Sequence, residues 1–185
     1  MSTAFFLDAS TPIASGHDTG LLIGRLVFGL VMSAHGTQKL FGWFGGYGLT
    51  ATGGYFEQLG FRPGRAFAAM AATSELAGGL LIALGLLGPM GPALLLPVMI
   101  VAIVTVHWGN GLFAATNGIE VPLLYSAFAV MLALTGPGLL SLDSALGLEG
   151  LWPERIAGTA LIVGVIGGFG TLLLRRPPKP IPASA

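Results

Sequence analysis

Five polar side chains, spread over four apolar stretches of the sequence, are suited to forming one site. A charged carboxylate near the middle of a membrane is costly unless a cation or a hydrogen-bond donor pairs with it. We therefore expect Glu75 to contact Lys39 or His35, which would keep the carboxylate charged. Ionisable groups in such positions point by default to a functional site. The predicted site residues are His35, Lys39, Glu75, His107 and Tyr125.

Arg25 belongs to a second polar site. It precedes His35 by enough residues to lie about 15 Å from it along a helix. Its side chain can extend to the outer headgroups, bond to free carbonyls of a neighbouring helix, or serve a function. Structural alternatives exist at the first site too: Lys39 can extend to the cytoplasmic headgroups, and His107 can be an interfacial residue.

The composition identifies the class of protein that must position these residues. Of 185 residues, 54% are hydrophobic and 9% are charged, whereas a soluble domain carries about 25% charged residues. The chain is therefore predicted to be an integral membrane protein in a lipid bilayer. Eight basic residues balance eight acidic ones, so no basic field exists for binding nucleic acid. The absence of cysteine excludes disulfides and thiolate metal sites.

Five apolar stretches are long enough to cross a bilayer, which needs about 20 residues per helix. They predict an all-α, polytopic membrane helical bundle with a four-helix core and a fifth, C-terminal transmembrane helix. The rival arrangement places the last stretch flat on the membrane, but that stretch is apolar on every face, unlike an interfacial helix. The stretches cover residues 20–42, 66–88, 92–110, 121–142 and 154–174.

Local signals predict how two segments begin and fold. His17-Asp18-Thr19 is expected to cap the first helix. The long loop after the first span is rich in aromatic residues and glycine, and residues 51–60 are expected to form a short surface helix. This helix either anchors the loop at the interface or covers the cytoplasmic mouth of the bundle.

The positions of Lys and Arg predict the orientation, because cytoplasmic loops carry the excess of positive charge. With the N-terminus outside, only Arg155 flanks an external loop. In this orientation the five site residues reach similar depths in the cytoplasmic half, within about 13 Å of its boundary. The cations on the cytoplasmic side are Lys39, Arg62, Arg65, Arg175, Arg176 and Lys179.

The chain lacks the short motifs of common catalytic sites: it has no phosphate loop, dinucleotide glycine fingerprint or HExxH. Histidines on separate helices can ligate a haem, but the neighbours of His35 and His107 do not favour one. A metal site of these histidines and Glu75 is chemically feasible. A polar network explains the same residues more simply, so no metal is predicted.

Three segments resemble the DoxX family of small bacterial membrane proteins. They are the run from Arg25 to Gly42, the segment Glu75-Leu-Ala-Gly-Gly, and His107 followed by Asn110-Gly-Leu-Phe113. The resemblance covers about residues 20–142 and implies a four-helix membrane bundle, to which this chain adds a fifth segment. It also implies an association with quinone reactions of respiration or sulfur oxidation, with quinone stress, or with membrane complexes of oxidant defence.

The resemblance and the spans together predict a multi-pass protein of the bacterial cell membrane, with its N-terminus outside and its C-terminus in the cytoplasm. The predicted division of the chain is an extracytoplasmic tail at 1–18, a four-helix DoxX-like domain at 19–142, an external loop with the fifth helix at 143–175, and a Pro-rich cytoplasmic tail at 176–185.

Two functions remain open from the sequence. The first is a redox-associated subunit that binds a quinone or similar small molecule in the cytoplasmic half and works with a membrane or peripheral redox protein. If the chain is an enzyme, it is then a subunit of a quinone-linked oxidoreductase. The second is a non-catalytic scaffold, assembly factor or small-solute conductor, whose buried charges hold helices in register.

Overall fold

The structure is a computed structural model that describes residues 14–176. Within these residues, every regular element is a helix or a helical turn, and loops connect them. The seven α-helices are α1 (Gly16–Phe41), α2 (Gly48–Gln58), α3 (Gly64–Leu84), α4 (Met90–Ala102), α5 (Glu120–Thr135), α6 (Leu142–Ala145) and α7 (Glu154–Leu173). A π-helical turn at Ile103–His107 and a 3-10 turn at Trp108–Asn110 continue α4, and further 3-10 turns lie at Ala114–Thr116 and Glu149–Leu151.

Four of the described helices are long and apolar enough to cross a membrane: α1, α3, α4 with its extension to Asn110, and α7. The prediction of an all-α, polytopic membrane bundle is therefore confirmed. The fourth predicted stretch is shorter than expected, since α5 has 16 residues and ends at Thr135. Gly136 leaves the helix with φ 75°, and Pro137 beyond it cannot donate a helical hydrogen bond.

Helices α1 and α3 approach at backbone distance because small residues face each other. A Cβ on Gly36 would lie 2.6 Å from the carbonyl oxygen of Ala72, well inside van der Waals contact. Because α1 and α3 run antiparallel, Lys39 and Glu75 lie about one turn from this contact, on opposite sides of it. The close approach thus sets the distance between the two charged residues.

Helix α7 packs along α4 through a stripe of small residues. A Cβ on Gly164 would lie 2.8 Å from the carbonyl oxygen of Ala93, and one on Gly168 would lie 3.0 Å from Ile100 Cβ. Ala157 and Ala160 continue the same buried stripe. The last apolar segment is therefore a helix of 20 residues packed on the bundle.

The predicted cap of the first helix is right only for Asp18, which forms a capping box with Ser15. Ser15 caps α1, and its hydroxyl accepts from the Asp18 backbone N–H at 3.3 Å, while Asp18 accepts from the Ser15 backbone N–H at 2.9 Å. The sequence does contain a signal for this cap, because the Ser15 hydroxyl precedes the Asp18 carboxylate by three residues, which is the spacing of a capping box. His17 and Thr19 lie in the first turn of the helix.

The short surface helix is present as α2, which runs from Gly48 to Gln58 and so begins earlier than predicted. The prolines and glycines at residues 88–92 separate α3 from α4 as expected. Most of the two predicted tails, residues 1–13 and 177–185, lie outside the described residues, as does Lys179.

Candidate functional site

Lys39 and Glu75 form a salt bridge between α1 and α3. Lys39 Nζ lies 2.7 Å from Glu75 Oε1 and 2.5 Å from Oε2, so the ammonium donates to both carboxylate oxygens. Glu75 is 2% exposed, whereas the Lys39 side chain is 26% exposed. Of the two contacts expected for Glu75, the structure has the one with Lys39, whose side chain turns to the carboxylate rather than to the headgroups.

A cavity of about 500 Å³ lies beside this salt bridge. We call it the central cavity. Its wall is formed by residues of α1, α2, α3, α4, the π-helical turn, α5 and α7. All five residues predicted from the sequence border it: His35, Lys39, Glu75, His107 and Tyr125.

The rest of the wall is mostly apolar and aromatic. Phe61 is fully buried, and its ring packs against Phe56 at 6.0 Å and Phe67 at 5.3 Å between centroids. All three rings border the central cavity. Sequence reasoning missed them as site residues, because aromatic residues near a span end are also typical of membrane interfaces.

Helix α2 covers one side of the central cavity. It contributes Thr52, Tyr55 and Phe56 to the wall, which favours the covering role over a simple interfacial anchor. A second hollow of about 390 Å³ lies under the loop that precedes α2. Lys39 borders both spaces, as do Thr52 and Tyr55. Lys39 therefore stands between the central cavity and this loop hollow.

The two histidines hold different positions on the wall. The His35 ring meets Tyr125 edge-on at 6.2 Å between centroids, and Tyr125 in turn packs against Phe28 at 5.6 Å. His107 ends the π-helical turn, and its Nδ1 lies 2.8 Å from the backbone carbonyl oxygen of Asn117. Single π-turns within α-helices frequently occur at functional sites.

Arg25 is not part of the central cavity and lies in a separate polar cluster. Its side chain is buried and donates to the carbonyl oxygen of Leu140, which is the carbonyl alternative considered for it. Asp143, 0% exposed, accepts from the backbone N–H groups of Leu87 at 2.9 Å and Gly88 at 2.6 Å. The segment after α5 is thereby tied to α1 and to the α3–α4 turn.

Asp18 also bonds to the segment after α5, because its Oδ1 accepts from the Leu139 backbone N–H at 2.9 Å. Arg25, Asp18 and Asp143 thus all bond to backbone groups of loops or turns. Such bonds satisfy peptide groups that a membrane would otherwise leave without partners. The cluster thus anchors these loops, while Nε and Nη1 of Arg25 have no hydrogen-bond partner within residues 14–176.

Metal binding was weighed for His35, His107 and Glu75. Within residues 14–176, no group of three or more His, Asp or Glu side chains is arranged to hold a metal ion. Both carboxylate oxygens of Glu75 instead accept from Lys39. The Glu75 carboxylate is thus paired with a cation.

Comparisons with known proteins add a family assignment. Neither the curated proteins nor the solved structures gave a match. The DoxX family model matches residues 20–108, a shorter region than the resemblance over 20–142. This region contains the salt bridge, both cavity histidines and most of α1 to α4, while Tyr125 lies beyond it. Over this region, slightly less than half of the chain, the sequence matches the DoxX family of membrane proteins, in agreement with the resemblance described above.

Proposed function

We propose that this protein is a redox-associated membrane subunit that binds a quinone or a similar small aromatic molecule in the central cavity. The observation that supports this proposal is the composition of the cavity wall. The space of about 500 Å³ is lined mainly by apolar and aromatic side chains, with a few polar groups among them. Small-molecule sites typically have this volume and this mixture. The aromatic rings suit a planar ring, and the polar groups suit its oxygen atoms.

Lys39 is suited to bind a carbonyl oxygen of the ring. An ammonium has three N–H donors, and two are directed at Glu75, so one remains for a ligand. A hydrogen bond from a cation strengthens as negative charge grows on the oxygen during reduction. His35 provides a second donor on the same wall, and the Glu75 carboxylate balances the charge of the lysine.

The redox role requires a partner protein. Amino-acid side chains of the kinds in this chain do not store electron pairs, and such chemistry is carried by cofactors. Reduction of a bound quinone to its hydroquinone takes two electrons, which would come from a separate redox protein, and two protons. In this proposal the chain itself binds and orients the ring and stabilises the charge that develops on it.

We further propose that the N-terminus lies outside the cell and the C-terminus in the cytoplasm of a bacterial cell membrane. The Arg175 side chain bonds to the carbonyl oxygen of Leu59 at 2.6 Å, and the Arg176 backbone N–H bonds to Gly60 at 2.9 Å. The end of α7 therefore meets the α2–α3 turn, which precedes Arg62. Cations gather at this end, in agreement with the positive-inside rule.

The orientation is tested by labelling in whole cells. The natural chain has no cysteine, so a single introduced thiol is the only reactive one. Gly150→Cys places it in the segment before α7, on the proposed outer side, and Gln58→Cys places it at the end of α2, on the proposed cytoplasmic side. Both positions are exposed. A membrane-impermeant maleimide should label the first in intact cells and the second only after permeabilisation. The reverse pattern would refute the orientation.

Quinone binding is tested with protein purified gently and placed in lipid nanodiscs. Mass analysis and absorbance should reveal bound quinone, and a short-chain benzoquinone should bind measurably. Glu75→Gln and His35→Ala should each weaken binding about tenfold, the effect of about 1.4 kcal/mol. His17→Ala, at an exposed position in the first turn of α1, is the matched control.

Unchanged affinity in both cavity variants would end the proposal. A loss of stability in Glu75→Gln, with no quinone bound to the natural protein, would support the scaffold function instead.

A further inference from the structure

We propose that His107 is the hydrogen-bond acceptor of the central cavity, and that it makes the cavity select a ring carrying a hydroxyl group. The ligand class is therefore a hydroquinone or another phenol, in preference to the same ring without an O–H. This inference rests on the proposed function, and it names the redox form that the site holds more tightly.

The argument starts from the hydrogen bond between His107 and Asn117. His107 Nδ1 lies 2.8 Å from the Asn117 carbonyl oxygen. A carbonyl oxygen only accepts, so Nδ1 must carry the hydrogen and donate it. A neutral imidazole carries one N–H hydrogen, which leaves Nε2 with a free lone pair. The backbone contact thus fixes the tautomer of the ring.

The loop that carries Asn117 is held in place by backbone hydrogen bonds, so the contact that fixes the tautomer of His107 is itself fixed. Ile119 N–H donates to Gly111 at 3.0 Å, and Glu120 N–H donates to Leu112 at 2.8 Å. These bonds close the loop between the end of α4 and the start of α5. The Asn117 carbonyl oxygen is therefore presented to the ring by a closed turn.

His107 has no ionic partner among the described residues. Across residues 14–176, the one salt bridge joins Lys39 to Glu75, so no carboxylate occupies a nitrogen of the His107 ring. The Asn117 carbonyl oxygen occupies Nδ1, and the residue borders the central cavity. Nε2 is thus suited to receive an O–H from a ligand.

The strongest competing acceptor on the wall is already paired, because both oxygens of Glu75 receive hydrogens from Lys39. The hydroxyl hydrogens of Thr52 and Thr105 go to carbonyls of their own helices, at 2.8 Å and 2.7 Å, so neither hydroxyl has a hydrogen left to donate to a ligand. The wall therefore combines a donor at Lys39 with an acceptor at His107, which matches a ring that accepts on one side and donates on another.

The test compares a short-chain hydroquinone with its dimethyl ether in nanodiscs, by equilibrium binding. The natural protein should bind the hydroquinone about tenfold more tightly, since only the hydroquinone has an O–H to donate to Nε2. His107→Asn keeps a donor near the Nδ1 position but lacks Nε2, so the preference should fall to about one while affinity for the ether stays unchanged. His107→Gln, with its amide near the Nε2 position, should restore part of the preference.

Two controls separate this role from a structural one. Thr73→Val removes an exposed hydroxyl that is bonded to Ala69 and does not border the cavity, and His17→Asn changes an exposed histidine. Both should keep the preference of the natural protein. If His107→Asn keeps the preference, or weakens both ligands equally, the inference is overturned. If the natural protein binds neither ligand, the proposed function fails as well.

The tautomer is tested without any ligand. The chain has three histidines, so the ¹⁵N signals missing from His107→Asn belong to His107. Nuclear magnetic resonance should show a protonated Nδ1 and an unprotonated Nε2. A proton on Nε2 would overturn the assignment of the acceptor, whatever the protein binds.

Discussion

Gly29 of α1 and Gly79 of α3 face each other so closely that a Cβ on either would lie 2.5 Å from the carbonyl oxygen of the other. This contact lies along the same interface as Gly36 and Ala72. Two such contacts fix both the separation and the rotation of α1 against α3. The position of Lys39 opposite Glu75 follows from that rotation.

We expect Gly29→Ala to destabilise the bundle by about 1–3 kcal/mol, because the added methyl group meets backbone atoms that cannot move aside cheaply. Thermal unfolding in detergent measures the effect. Gly20→Ala is the matched control, since it lies on the same helix and a Cβ there would meet nothing within 4 Å. Equal melting temperatures for the two variants would contradict the close packing.

The salt bridge predicts a strong coupling between its partners. Lys39→Met should destabilise the protein by about 3 kcal/mol, because it leaves the Glu75 carboxylate buried without its cation. Replacing both residues, as in Lys39→Met with Glu75→Met, should recover most of that loss, since no unpaired charge remains. Unfolding of the two single variants and the double variant gives the coupling energy.

Arg155→Met is the control for this cycle, because it removes a cation at an exposed position and should leave stability nearly unchanged. Strictly additive effects of the Lys39 and Glu75 substitutions would show that the two side chains do not interact in the folded protein.

The helical rise alone predicted that Glu75, His35 and Lys39 reach similar depths, and the apolar stretches predicted the spans. The choice between Lys39 and His35 as partner of Glu75 depends on how α1 is rotated against α3. That rotation is fixed by Gly29 and Gly36 meeting particular residues of α3. A single sequence shows that these glycines permit close approach, but not which residues they meet.

Other features arise only when distant segments meet. Arg25 bonds to Leu140, which is 115 residues away, through a loop whose path no local pattern specifies. The π-helical turn that ends at His107 follows a stretch that is apolar on all sides, so the periodicity of the sequence gave no signal of it. The bond from His107 to Asn117 depends on that turn and on the closed loop after it.

The polar cluster around Arg25 and Asp143 predicts a local opening that leaves the central cavity intact. In Asp143→Asn, one of the two oxygens that accept from Leu87 and Gly88 becomes an amide donor, which leaves a backbone N–H without a partner. The loss should be about 1–3 kcal/mol. Hydrogen exchange should speed up at the α3–α4 turn, while quinone affinity stays unchanged.

Glu149→Gln is the matched control for this substitution, because it makes the same chemical change at an exposed carboxylate. Exchange rates at the α3–α4 turn should then equal those of the natural protein. A large fall in quinone affinity in Asp143→Asn would show that the two polar sites are coupled, contrary to their separation in the fold.

The covering role of α2 predicts that a bound ligand protects Thr52. This residue is partly buried and borders both the central cavity and the loop hollow. In Thr52→Cys, the introduced thiol is the only one in the chain, because the natural sequence has no cysteine. A water-soluble maleimide should label it slowly through the loop hollow. A short-chain quinone at about ten times its Kd should slow this labelling about tenfold, in proportion to the fraction of unoccupied sites. Gln58→Cys, exposed on the same helix and away from the cavity wall, should be labelled at the same rate with and without quinone. If Thr52→Cys is labelled equally fast in both conditions, the quinone does not occupy the space that α2 covers.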